Sequence, residues 1–188
     1  MRRNRMKITL LALVMSVLTM ITQNTAAYYT VTGTAENVIT SGDISARIIE
    51  KMGDGDFPEE GVFVMPGSVV SKKVSVLNTG DNPFWLRVKL TNRVSDTALS
   101  ADITELDINT DYWTYENDGF YYYKDKLEPG AETEKLFTEV KIVGSAVDSS
   151  YMGKILNITV SAYAVQSQNN GTSPFDAEGW PAEGGESV

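Results

Sequence analysis

The feature that most constrains the fold is a strict alternation of apolar and polar side chains over residues 84–92. The apolar set is Phe84, Leu86, Val88 and Leu90, and the set between them is Trp85, Arg87, Lys89 and Thr91. Successive side chains of a strand point to opposite faces, whereas a helix would scatter the four apolar residues around its axis. Residues 84–92 therefore predict a β-strand with one buried face and one solvated face.

Similar segments recur along the chain, separated by turn residues. Strand-like runs cover residues 28–34, 44–49, 62–64, 69–77, 135–143 and 154–165. An Asp-Gly turn between the aromatic runs 112–115 and 120–123 predicts a β-hairpin with cross-strand aromatic pairs. Residues 94–109 are ambiguous, and we favour a loop or short helix that leads into a strand. This spacing, without a long amphipathic helix, predicts an all-β fold, an antiparallel β-sandwich.

The first 27 residues have the pattern of a secretory signal peptide. Four Lys and Arg residues precede an almost unbroken apolar run over residues 8–21, and small residues follow up to Ala27. This predicts a helical signal peptide over residues 1–27, which a signal peptidase cuts between Ala27 and Tyr28. A retained membrane anchor would need about 20 apolar residues, and three polar side chains interrupt this run. We expect a secreted protein that meets the membrane only through its uncleaved signal peptide.

The rest of the chain divides into a domain and a tail. Residues 28–165 contain the strand-like runs and predict one β-sandwich domain. From residue 166 to residue 188 the chain is mostly Gln, Asn, Gly, Ser, Pro and Glu, with Phe175 and Trp180 as its sizeable apolar side chains. This composition predicts a flexible acidic tail.

Composition excludes several classes of function. The chain contains no cysteine and no histidine. Catalytic triads built on those residues are therefore absent, as are the usual zinc and haem ligands, and only oxygen-ligand metal sites stay open. The 25 acidic residues outnumber the 16 basic ones, which argues against nucleic acid as a partner. We expect no catalytic residues, no cofactor and no enzymatic activity.

Several short motifs occur together in a fixed order. They are AENVITSGDI at 35–44, PGSVVSK at 66–72, WLRVKL at 85–90, GFYYYK at 119–124 and LEPG at 127–130. In this order the chain resembles the TasA/camelysin family of exported Gram-positive proteins. The resemblance covers essentially all of the predicted domain. It implies a jelly-roll-like sandwich and a structural role at the cell surface or in the biofilm matrix, where the protein assembles into fibres with itself or with homologous matrix subunits.

The segment after the predicted cleavage site is a candidate assembly strand. It consists of Tyr28, Tyr29, Thr30, Val31, Thr32 and Gly33. A released, β-prone N-terminus could add to an open sheet edge of a neighbouring subunit, where main-chain hydrogen bonds supply affinity. The alternative is pairing within its own sandwich, which we favour for any monomeric state.

Two further groups of residues are candidate binding sites. Weak calcium candidates are Asp54, Asp56, Glu59 and Glu60, which supply hard oxygen ligands, although a solvated turn is the favoured interpretation. The aromatic set is Trp113, Tyr115, Phe120, Tyr121, Tyr122 and Tyr123. Exposed aromatics would let a monomeric surface module bind a glycan or a host ligand, which is our alternative function. We favour core packing, because alternate residues of any strand point inward.

Overall fold

A computed structural model describes residues 29–35, 39–41 and 44–183. These residues form twelve β-strands and no α-helix, and two short 3₁₀ turns span Gly144–Ala146 and Ser149–Tyr151. The strands are β1 (Tyr29–Ala35), β2 (Ile39–Ser41), β3 (Ala46–Met52), β4 (Gly55–Asp56), β5 (Val62–Val64), β6 (Val69–Asn78), β7 (Phe84–Val94), β8 (Thr104–Leu106), β9 (Trp113–Tyr115), β10 (Tyr121–Tyr123), β11 (Phe137–Ile142) and β12 (Ile155–Gln166). The predicted signal peptide and its cleavage position at Ala27 and Tyr28 lie outside the described residues.

The strands form two sheets. The first sheet has the order β5-β1-β12-β7-β10-β9, and β2 also pairs with β12. The second has the order β4-β3-β6-β11-β8. Apolar side chains from both sheets pack together in one core cluster, which includes Val31 and Ile158 from the first sheet and Val74 and Val140 from the second. The all-β fold is confirmed as a sandwich of two sheets.

The alternation over residues 84–92 describes β7 correctly on its inner face. Phe84, Leu86 and Val88 are buried in the core, and β7 pairs antiparallel with β12 along its whole length. The outer face differs from the prediction at Trp85, which is also buried. Trp85 packs with Val165 and Ala177 in a second, smaller cluster outside the sandwich. Trp85, at a position predicted to face solvent, is buried because a segment that follows β12 covers it.

The predicted antiparallel pairing holds for most strand pairs but not for two pairs that β12 makes. Both β1 and β2 pair parallel with β12. Parallel neighbours need a long crossover connection, and here most of the domain lies between β1 and β12 in the chain. Short-range turn signals cannot reveal such a pairing, because the two strands are separated by more than a hundred residues.

Residues 167–183, part of the predicted flexible tail, lie against the outer face of the first sheet. The indole Nε1 of Trp85 donates a hydrogen bond to the backbone oxygen of Asn170 at 2.8 Å. The rings of Phe175 and Trp180 each lie 5.6 Å from the ring of Tyr122, between centroids. The tail is held because the outer face of the first sheet carries aromatic side chains that it covers.

The ambiguous residues 94–109 contain no helix. They run as a loop into β8, which pairs with β11. The predicted aromatic hairpin is present as β9 and β10. Its cross-strand pairs are Trp113 with Tyr123, at 5.0 Å between ring centroids, and Tyr115 with Tyr121, at 4.8 Å.

Candidate assembly site

The described part of the predicted assembly strand is an interior strand of its own sheet. On one side, β1 pairs antiparallel with β5, with Tyr29 opposite Val64 and Val31 opposite Val62. On the other side it pairs parallel with β12. Tyr28 lies outside the described residues. In this single chain the strand therefore fills a slot between β5 and β12, and both of its edges are used.

Alternate side chains of β1 anchor it in the core. Tyr29 is 1% exposed and Val31 is fully buried, whereas Thr30 and Thr32 are only partly buried. Burial raises the pKa of the Tyr29 hydroxyl to about 12. That hydroxyl has no hydrogen-bond partner among the described residues. An aromatic and a branched apolar side chain thus supply the burial that holds the strand.

The third inward position of β1 is Gly33, and it faces a buried ion pair. Lys72 of β6 lies with its Nζ 2.7 Å from Glu50 Oε2 of β3, and the Lys72 side chain is fully buried. Its Nζ also lies 4.2 Å from the centre of the Phe57 ring. A Cβ atom added to Gly33 would lie 1.8 Å from Lys72 Nζ and 2.6 Å from Glu50 Oε2. The ion pair therefore occupies the space that a side chain at residue 33 would fill.

Burying the Lys72–Glu50 pair costs desolvation free energy. Desolvation lowers the pKa of Lys72, and the nearby Glu50 carboxylate opposes that shift. Glu50 Oε1 is buried and has no hydrogen-bond partner in the described part of the chain. Sequence reasoning missed the pair, although a signal was present. Lys72 falls at an inward position between Val70 and Val74, where a strand pattern calls for an apolar residue.

The neighbouring strand β5 forms one edge of the first sheet. Phe63 of β5 is 76% exposed, and Met65 and Val69 nearby are also exposed. They help to line an apolar cavity of about 180 Å³ between β5 and β6. Thr30 lies opposite Phe63 in the β1–β5 pair and is itself only partly buried, so both side chains lie on the outer face of the sheet.

The aromatic set of the hairpin is mostly packed inside the protein. Trp113 is 1% exposed, and its Nε1 donates to the backbone oxygen of Glu134 at 3.1 Å. Phe120, Tyr122 and Tyr123 are buried as well, whereas Tyr115 is 61% exposed. This leaves Tyr115 and its partly buried neighbour Tyr121 as the aromatic side chains of the set that are available for the alternative function, glycan binding.

Tyr121 lines a cavity of about 450 Å³ beside β7, β8 and β10. The cavity also carries polar groups, among them Asn92, Asp102 and Thr104. Asn92 Nδ2 donates to Thr104 Oγ1 at 2.9 Å, so part of this polar lining is internally satisfied.

The acidic residues proposed as calcium candidates lie on the surface. Asp54, Asp56, Glu59 and Glu60 are all exposed, and Asp56 belongs to β4. Within residues 29–35, 39–41 and 44–183, no group of three or more acidic, His or Cys side chains is placed to hold a metal ion.

On the outer face of the first sheet, Arg87 is enclosed by aromatic rings. Its guanidinium carbon lies 3.9 Å from the ring centre of Phe120 and 4.8 Å from that of Trp180. Arg87 Nη1 donates to Asp118 Oδ2 at 3.2 Å and to Tyr122 Oη at 3.1 Å. These contacts hold the tail on the sheet and make the face a packed surface of the subunit.

Fold and site define a class: an all-β protein of two packed sheets, with an internal slot that is filled by its own β1 strand. Comparisons of the chain with protein-family models, with curated proteins and with solved structures found no match. None of the helical segments in the described ranges has the length and hydropathy needed to span a bilayer.

Proposed function

We propose that the protein is a secreted structural subunit of the cell surface or biofilm matrix, which assembles into fibres by passing β1 of one subunit into the slot of the next. Its partners are further copies of itself or homologous matrix subunits. The motif order shared with the TasA/camelysin family supports this proposal and a jelly-roll-like form of the sandwich. The observation that carries it is that β1, first in the chain among the described strands, fills an interior slot.

The slot favours strand exchange on physical grounds. Withdrawing β1 would open hydrogen-bonding edges on β5 and β12 and uncover the pockets of Tyr29 and Val31. A β1 strand from another copy would restore the same contacts, so the exchange costs little contact energy. A subunit that donates its strand forward and accepts one from behind makes a head-to-tail contact. Such a contact extends into a fibre when the rotation between subunits does not close a ring.

The experiment uses the absence of cysteine from the chain. Cysteines are introduced at Thr30 and Phe63, which are opposite each other in the β1–β5 pair. Neighbouring antiparallel residues have the Cα separation that a disulfide requires. The protein starting at Tyr28 is oxidised either before or after it is concentrated for assembly. Electron microscopy and non-reducing gels then report fibres and cross-links.

If β1 is exchanged, oxidation after assembly links subunits into a covalent ladder, and oxidation of the monomer blocks fibre formation. The matched control places cysteines at Thr91 and Thr159, an opposed pair of β7 and β12 that stays within one subunit. The control should give only intramolecular links and should leave assembly unchanged. Fibres whose Thr30/Phe63 disulfides are all intramolecular would refute strand exchange, and a protein that stays monomeric at every concentration would refute the structural role.

A further inference from the structure

The Lys72–Glu50 pair is difficult to explain as a device for stability. Replacing a buried ion pair by apolar residues of similar volume is often neutral or stabilising. The rest of the sandwich interior near β1 is apolar, with Tyr29, Val31 and Val64 in the core cluster. The pair faces β1 at the one inward position where that strand has no side chain, Gly33. A buried polar pair at such a place can act by discriminating between strands.

We propose that the Lys72–Glu50 pair is a selectivity element of the slot, which admits a β-strand only when the residue facing the pair is glycine. The slot then recognises an extended segment with an aromatic residue, an apolar residue and a glycine at successive inward positions, as in Tyr29, Val31 and Gly33. The inference rests on the proposed function where the strand comes from another copy. Within one subunit, the same contact sets the register of its own β1.

The geometry explains why the discrimination is sharp. A side chain facing the pair would place its Cβ 1.8 Å from Lys72 Nζ, far inside van der Waals contact. The ammonium group has little room to retreat, because the Phe57 ring lies on it and Glu50 holds it at 2.7 Å. A shift of β1 by two residues keeps the same face inward but brings residue 31 or residue 35 onto the pair, and both carry a Cβ. The pair therefore rejects both foreign strands and shifted registers.

The test separates the strand donor from the strand acceptor. Donor chains carry one cysteine, Thr30→Cys, together with Lys72→Ala and Glu50→Gln, so that their own slot no longer discriminates at residue 33. They carry either Gly33 or Gly33→Ala. Acceptor chains carry one cysteine, Phe63→Cys, with either the natural pair or Lys72→Ala together with Glu50→Gln. A mixed disulfide forms only when the donor's β1 lies beside the acceptor's β5. The two donors compete at equal concentration, and mass spectrometry measures which one is linked.

We expect the natural acceptor to prefer the Gly33 donor by about ten- to a hundredfold, the range that overpacking in a tight core produces. The preference should fall to about twofold or less in the acceptor without the pair, since the space is then open. A Thr32→Ala donor is the matched control, because residue 32 is only partly buried and is not aimed at the pair. Equal capture of the Gly33 and Gly33→Ala donors by the natural acceptor would overturn the proposal, as would an unchanged preference after removal of the pair.

Failure of strand exchange would give a different result. If no donor is linked to any acceptor, the proposed function fails, and urea unfolding of the single chain then decides the role of the pair. A lower unfolding midpoint for Gly33→Ala that recovers when Lys72→Ala and Glu50→Gln are added would keep the pair as the selector of the subunit's own β1. No recovery would overturn that role too.

Discussion

Replacement of Trp113 by alanine separates a core role from a ligand-binding role for the aromatic hairpin. Trp113 is 1% exposed, its ring packs 5.0 Å from that of Tyr123, and its indole donates a hydrogen bond to the Glu134 backbone. We expect a large loss of stability, because the substitution leaves a cavity, breaks an aromatic pair and removes a hydrogen bond.

The magnitude follows from these contacts. Truncating a buried tryptophan to alanine costs about 3–5 kcal/mol. The lost hydrogen bond adds about 1 kcal/mol at most, since water can reach the part-buried acceptor. Folded domains are stable by about 5–15 kcal/mol, so a loss of about 4 kcal/mol is a large share of the total. For a chain of this size it lowers the melting temperature by about 8–16 °C.

Urea unfolding followed by circular dichroism measures the change in the free energy of unfolding. The matched control is Tyr115→Ala, two residues along β9, where the side chain is 61% exposed. It should cost about 1 kcal/mol, the value of its pairing with Tyr121. Trp113→Phe should fall between the two, because it keeps a ring in the core. If Trp113→Ala costs less than about 1 kcal/mol, or no more than Tyr115→Ala, the assignment of Trp113 to the core is wrong.

Two further predictions concern the tail and the response to acid. Trp180→Ala removes a ring that contacts Arg87 and Tyr122. Residues 167–183 should then detach from the sheet, and a protease should cut them faster. Unchanged cleavage would show that Trp180 does not hold the tail. For Asp107, burial opposes ionisation, but hydrogen bonds from Thr138 and Glu139 outweigh it and lower the pKa below 3.8. The folded state therefore binds fewer protons than the unfolded state, and this contribution to stability is lost as pH falls below 3.8. Asp107→Asn should flatten the fall of the urea midpoint with pH in that range, and an unchanged slope would contradict the assignment.

Local patterns along the chain predicted the strands because each strand pattern depends only on residues that are close together in the sequence. Alternation placed β7, and the Asp-Gly turn between aromatic runs placed the β9–β10 hairpin with its cross-strand pairs. The strand over residues 154–165 appears as β12 with nearly the same bounds. These features depend on side-chain direction and turn geometry, which are properties of the local chain.

The sequence by itself determined that this protein is built of strands and which face of each strand seeks burial. Only the tertiary structure decided which strands became neighbours. It set β1 parallel to β12, covered Trp85 and Arg87 with the tail, and brought Gly33 against Lys72 and Glu50. Each of these contacts joins residues far apart in the chain. A polar residue at an inward position signals that a partner must exist, but that partner is fixed only when distant strands pair. Glu50 reaches Lys72 because β3 pairs with β6, and Gly33 faces both from the other sheet.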